Sequence, residues 1–312
     1  MKQLQSCWRY ARWCIAAAII IGVLRYVDLG SLIAALSAIT VVQVLWLLLI
    51  SAVLLIISVL KWRLFVRALG GDCSISYLYA LYLIAYFVNL FLPSHIGGDV
   101  TRSWSLGRLV GQRQAFIATF LERCTGLVAM VLMAFVALLF TDVVPYEASV
   151  AVVGVNLLML VGFAVVWFSL PRLTDDVPWV PTKGRAVIGA LQAIQTQPKA
   201  LMKAMGYSAA YHAVAVVNTL VAAQAVGCTS LQWLDVCIVL PIILLVGSLP
   251  IAPSGLGIQE GAFVFFLTRI GATPGQALGI SVVLRLKTYL LGIIGGGLWW
   301  FMGEGHGSKS GV

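Results

Sequence analysis

Apolar runs long enough to cross roughly 30 Å of hydrocarbon alternate with short polar interruptions along most of the chain. They fall near residues 10 to 28, 36 to 60, 115 to 140, 148 to 170, 202 to 226 and 276 to 301. Each predicts a helix, the element that satisfies its own backbone groups in lipid. Two further runs, about 75 to 92 and 231 to 249, end differently. The first leads into Asn89-Leu-Phe-Leu-Pro-Ser-His-Ile-Gly-Gly-Asp-Val-Thr-Arg102 and the second into Ser248-Leu-Pro-Ile-Ala-Pro-Ser-Gly-Leu-Gly-Ile-Gln-Glu260. Each places proline, then glycines, then a carboxylate after an apolar segment. Breaks at matching positions of two halves point to a transporter-type site near the bilayer middle, because irregular backbone there needs protein or a watery cavity around its polar groups.

Composition removes any aqueous alternative. Hydrophobic residues make up 61% of the 312 positions and charged residues 10%, with a mean hydropathy of +1.02, against roughly 25% charged residues in soluble chains. Lys2, Arg9 and Arg12 precede the first run in the manner of a signal peptide. No small-x-small cleavage site follows, so a retained first helix is expected. The six cysteines (Cys7, Cys14, Cys73, Cys124, Cys228, Cys237) show no ligand spacing and read as small core residues.

Charge then sets the topology. Lys61, Arg63, Arg67, Arg102, Arg108 and Arg113 flank the first break on both sides, and the positive-inside rule puts both flanks in the cytoplasm. Residues 75 to 114 are therefore a re-entrant or broken helix pair entering from inside. Asp142 and Glu147 mark an outer loop; Arg172, Lys183, Arg185, Lys199 and Lys203 mark an inner one. The second broken element then enters from outside, and both termini are cytoplasmic. The expected fold is an all-α integral membrane protein with six transmembrane helices and two broken elements of opposite orientation, an inverted repeat. Eight full spans is the alternative, and it places the basic 93 to 114 segment outside. One membrane domain, 1–312, is expected, with repeat-like halves 1–147 and 148–302 and a flexible tail 303–312. Trp8, Trp13, Trp299 and Trp300 read as interfacial anchors, and Gly292, Gly295, Gly296 and Gly297 as a face for close helix packing.

The residues at the breaks suit an anion. An interrupted helix offers unpaired N–H groups and a positive dipole end, and Gly97, Gly98, Gly255 and Gly257 allow a phosphate oxygen to approach the backbone. Arg102 and Arg123 supply bidentate contacts. Arg285 and Lys287 lie inside the last run, where ionisable groups are costly enough to suggest function. Asp99, Glu122 and Glu260 would hold the arginines in an empty site or take up protons; helix capping is the plainer reading for Asp99 and Glu260. Glu122 and Arg123 are adjacent and point to different helix faces, so each needs another partner. His95, four residues before Asp99, lacks a third ligand and reads as a polar residue at a cavity rim. His212 reads as a histidine satisfied across helices, and Asp175-Asp176 as a solvated turn.

The run Asn89, Pro93, Gly97, Gly98, Asp99, Arg102, then Glu122-Arg123, then Pro250, Pro253, Gly255, Gly257, Glu260 and Gly261 resembles the flippase-like membrane domain of lysylphosphatidylglycerol synthases. That domain also occurs alone in membrane proteins, some linked to hopanoid or glycolipid pathways. The resemblance covers nearly the whole chain and implies handling of a lipid with a polar head group by translocation between leaflets, with Asn89 joining Gly97, Gly98, Arg102, Arg123, Gly255 and Gly257 as expected head-group contacts, and Arg285 and Lys287 added by their charge. It implies no synthase activity, which belongs to a soluble C-terminal domain, whereas only residues 303–312 follow the last run.

Three functions are carried forward: transbilayer translocation of a phospholipid, polyprenyl-phosphate-linked lipid, glycolipid or hopanoid-type lipid; a membrane-embedded sugar or head-group transferase; and an accessory subunit of a lipid-synthesis complex. Translocation leads, because it alone uses the doubled break. Asp28 alone in the first outer loop is thin support for a transferase, and no P-loop or dinucleotide fingerprint appears. No catalytic residue, metal, cofactor or nucleic-acid partner is expected; lipid-biosynthesis enzymes are the candidate protein partners, and the inner membrane is the expected location.

Overall fold

A computed structural model describes residues 27–92, 96–140, 195–248 and 255–307, with 21, 22, 25, 252 and short pieces of 153–169 and 188–192. All regular structure among these residues is helical: α1 (Leu29–Ser37), α2 (Val41–Ala68), α3 (Ile75–Phe91), α4 (Ile96–Val110), α5 (Gln112–Leu138), α6 (Pro198–Ala225), α7 (Trp233–Ser248), α8 (Ile258–Arg269) and α9 (Pro274–Gly307). The protein is an all-α membrane protein. Within the described residues, α2, α5 and the Pro274–Phe301 part of α9 are long and apolar enough to cross a bilayer. At 28 residues α6 has the length but not the hydropathy, since it carries Lys199, Lys203, His212, Asn218 and Gln224.

One expectation shifts. The run at 36 to 60 is not one helix, because Thr40 starts a new one: its hydroxyl accepts from the Gln43 N–H at 3.3 Å, and the Gln43 side chain returns to the Thr40 N–H at 2.9 Å. This reciprocal cap fixes the start of α2. Asp28, expected in a loop, lies outside the helices in the link before α1 and accepts from the Gly30 N–H at 3.2 Å. The runs at 10 to 28 and 148 to 170, and the loops at 141 to 148 and 171 to 187, lie wholly or largely outside the described residues.

The two broken elements are helical hairpins. In the first, Tyr77 donates to the Ser105 carbonyl at 3.5 Å, and Asn89 meets Gly98 near the tip, so α3 and α4 run antiparallel. Its base is closed by Gly71, where an added methyl would stand 3.0 Å from Val110. In the second, Ser230 donates to the Gly271 carbonyl at 2.8 Å at the base, and Gly247 lies against Gln259 near the tip. A glycine of positive φ then turns each hairpin into a long helix, Gly111 at 95° before α5 and Gly271 at 103° before α9. Other residues are strained in that region.

The hairpin bases lie at opposite ends of the molecule. α5 starts at the first base, and its far end lines an apolar groove of about 570 Å³ with Trp233, Leu234 and Cys237 at the start of α7. α9 starts at the second base and returns along α3, with Gly292, Gly295 and Gly296 closing on Leu90, Leu83 and Phe87. Each long helix thus packs on the first helix of the other hairpin. Three of the four glycines expected to form the small-residue packing face of the last span do so; Gly297 faces open space. At 17 and 16 residues, α3 and α7 reach only about 25 Å, short of the roughly 30 Å hydrocarbon core.

The basic segments gather at the first base. Gln197 donates to the Ala68 carbonyl at 2.9 Å, joining the start of α6 to the end of α2. A methyl on Gly189 would stand 2.9 Å from an Arg113 guanidinium nitrogen. In the same region Asp72 clasps Arg67 through two contacts, at 3.0 and 3.1 Å, and Arg63 at 3.3 Å. The Arg67 hydrogen bond holds the Asp72 carboxyl down at about 2. Two buried clusters fill the interior, one around Trp62, Phe65, Leu81 and Leu121 beside the first hairpin, the other around Ile238, Ile243, Phe263 and Ile280 beside the second.

Candidate functional site

At the first tip, α3 caps α4. The Asn89 Oδ1 accepts from the Gly98 N–H at 2.8 Å, satisfying a donor that a helix start leaves open. A methyl on Gly98 would stand 2.6 Å from the Ala85 carbonyl oxygen, and one on Gly97 would run into the Leu92 side chain. Both glycines therefore have a packing reason, and Asn89 has a capping one. Pro93, Ser94 and His95 lie outside the described residues.

From this tip a chain of alternating charges runs inward. Arg123 donates from Nε and Nη2 to the two oxygens of Asp99, both at 2.7 Å. Asp99 also accepts from the Arg102 Nε at 2.9 Å. The Arg102 Nη2 donates to Glu122 at 2.6 Å. Glu122 faces the Lys61 ammonium at 3.9 Å, and Lys61 donates to the Ser208 hydroxyl on α6 at 3.2 Å. Neither Asp99 nor Glu122 is spare: charge-assisted bonds of this kind are the strong ones, and at membrane depth they offset desolvation.

Burial separates the two arginines. The Arg102 side chain is fully enclosed, its guanidinium 4.6 Å from the Trp62 ring centroid and 4.3 Å from that of Tyr82, where the ring faces attract a cation. Only its Nη1 has no hydrogen-bond partner among the described residues. Trp62 is fixed by donating to Thr119 at 3.1 Å. Arg123, by contrast, has 54% of its side chain open. Arg123 is thus the solvent-accessible end of the charge chain.

The second tip repeats the arrangement in shorter form. Glu260 accepts from the Gly257 N–H at 2.7 Å, capping α8, and pairs with Arg285. Arg285 also donates to Gln259 at 3.3 Å. A methyl on Gly255 would stand 2.6 Å from the Gly247 carbonyl oxygen. With 14% of its side chain open, Arg285 is more closed than Arg123. Lys287 is partly buried in α9 and has no charged neighbour among the described residues. Pro250 and Pro253 lie outside them.

Residues 13–296 match the family described as Lysylphosphatidylglycerol synthase TM region. The chain belongs to that family. A UPF0104 membrane protein of Methanothermobacter thermautotrophicus is similar, at 21% identity over 276 residues covering 80% of this chain and 81% of the relative. Membership supports a lipid-related membrane role.

The structure brings Asn89, Gly97, Gly98, Asp99, Arg102, Glu122 and Arg123 together at one tip, and Gly255, Gly257, Glu260 and Arg285 at the other, as their places along the chain suggested. Asp99 binds arginines where capping was the plainer reading; Glu260 does both. His212 meets the Gly126 carbonyl at 2.9 Å across α5 and α6, as the interhelical reading required. Sequence reasoning missed Lys61, Trp62, Tyr82 and Ser208. Arg63 and Arg67 disguised Lys61 as part of a cytoplasmic flank, but α2 continues to Ala68 and sets Lys61 about 10 Å inside its end. The usable signal was an ionisable residue beside a tryptophan at the edge of an apolar run.

Proposed function

We propose that the protein translocates a lipid with an anionic or polar head group between leaflets, using the two hairpin tips as opposing half-sites. The observation that carries this reading is the Asp99–Arg123 pair: a guanidinium more than half open, held in its forked geometry by a carboxylate that a head-group phosphate can replace. Arg123 is the twelfth residue of α5, about 17 Å from the helix start, which is near the middle of a hydrocarbon core. Arg285 lies at the same depth from the opposite end.

In this reading Arg102, Asn89, Gly97 and Gly98 build the first tip, while Arg123 meets the lipid. Both hairpins are re-entrant, the basic first end faces the cytoplasm, and the membrane is the inner one. The carboxylates are engaged by arginines and a helix N-terminus, which favours transport over a reaction needing a free acid or base. The test is dithionite accessibility of a fluorescent phosphatidylglycerol in vesicles holding the purified chain. Faster leaflet exchange than in protein-free vesicles is expected, with Arg123→Ala slowing it about tenfold or more; exchange no faster than in protein-free vesicles contradicts the proposal.

A further inference from the structure

Building on Arg123 as the head-group contact, we propose that Lys61 is a positioning residue that carries head-group occupancy from Arg123 to α6. The chain Arg123, Asp99, Arg102, Glu122, Lys61 has three cations and two carboxylates in alternation. Its outer end is open, its interior is buried, and its inner end rests on Ser208. Each carboxylate is shared between two cations. The links are 2.7, 2.9 and 2.6 Å until the last, which is 3.9 Å.

That long link gives the chain two arrangements. A phosphate that takes Arg123 withdraws it from Asp99, and Asp99 then depends on Arg102 alone. Arg102 drawn toward Asp99 holds Glu122 less, and in a poorly screened interior Glu122 recovers a partner by closing on Lys61. Lys61 is thereby pulled from Ser208. Lys61 is on α2 and Ser208 on α6, two helices packed along their length, and α6 runs from the first hairpin base to the second. Occupancy at one tip therefore alters a seam that reaches the other half. Coupling of this kind needs a contiguous network with two discrete states, and the alternative partners of Glu122 and Lys61 supply them. At the second tip, Arg285 reaches Glu260 and Gln259, and no lysine continues that chain among the described residues. The relay belongs to the first half.

The test uses the full chain in detergent micelles, dihexanoyl phosphatidylglycerol as probe, calorimetry for binding and hydrogen exchange over residues 204–212 for α6. In the wild type, binding changes exchange in that stretch. Lys61→Met binds the probe within about threefold of wild type but loses the change in α6; Lys61→Arg restores it. Ser208→Ala likewise binds and does not respond, and carries the test alone should Lys61→Met fail to fold. A wild-type α6 response in Lys61→Met or Ser208→Ala overturns the relay, as does a parallel loss of binding and response in Lys61→Met. Binding by the wild type with no change in α6 also overturns it, while leaving the head-group reading intact. No binding by the wild type overturns both.

Discussion

Arg123 and Arg285 stand in equivalent places: each is the twelfth residue of the long helix that follows a hairpin, and each pairs with a carboxylate in the first turn of the preceding half-helix. The equivalence extends to the glycine that precedes each long helix and to the close backbone approach at each tip. The two hairpins, with their bases at opposite ends, thus carry the same glycine, carboxylate and arginine at matching positions.

Arg102 and Arg123 are expected to behave differently on truncation. Arg102→Ala leaves Glu122 and Asp99 buried with a partner missing and removes the cation between Trp62 and Tyr82, a loss of about 3 to 5 kcal/mol. Thermal unfolding followed by circular dichroism should show a large destabilisation for Arg102→Ala and a small one for Arg123→Ala, whose side chain is open. Equal effects would remove the distinction between a structural and a ligand-facing arginine.

A methyl group should test the tips without touching charge. Gly98→Ala and Gly255→Ala each push a carbon within 2.6 Å of a carbonyl oxygen, an overpacking worth about 1 to 3 kcal/mol. Gly297→Ala meets nothing within 4 Å and should be neutral or slightly stabilising. Unfolding temperatures of the three variants check this, and tolerance of alanine at both tips would contradict the close packing.

The Asp72 clasp has a pH signature. Its carboxyl is held near 2 against 3.8, so its stabilising contribution is fully present above about pH 4 and disappears as pH falls toward 2. Carboxyl-carbon NMR of Asp72 followed from pH 6 down to pH 2 should show a titration midpoint near 2. A midpoint near 4 would mean the clasp with Arg67 does not form in the membrane.

The spans over Val41–Ala68, Gln112–Leu138 and Pro274–Phe301 and the two breaks were legible because apolar length and proline-glycine punctuation are local properties. Position along the chain also revealed Asp99, Arg123, Glu260 and Arg285. What the sequence could not reveal was pairing. Whether Asp99 caps a helix or binds arginine depends on Arg123, 24 residues away, and Gly98 reads as a ligand contact until Ala85 is seen against it. Lys61 stayed hidden because its chemistry depends on Ser208, 147 residues distant.

Chemistry and transport can be separated with the purified chain alone. Phospholipids incubated with it should be recovered unaltered by mass spectrometry, and Glu260→Gln should act through loss of the Arg285 pair. A new lipid species made by the wild-type chain would replace the translocator reading with an enzymatic one.

The central claim, two half-sites on one path, is tested most directly by leaflet-exchange rates of Arg123→Ala, Arg285→Ala and the double variant in vesicles. Half-sites in series predict that each single variant slows exchange about tenfold or more, and that the double variant is no slower than the worse single, a non-additivity expected of residues serving one event. Wild-type exchange in Arg285→Ala, or a double variant showing the product of two independent losses, would contradict the account.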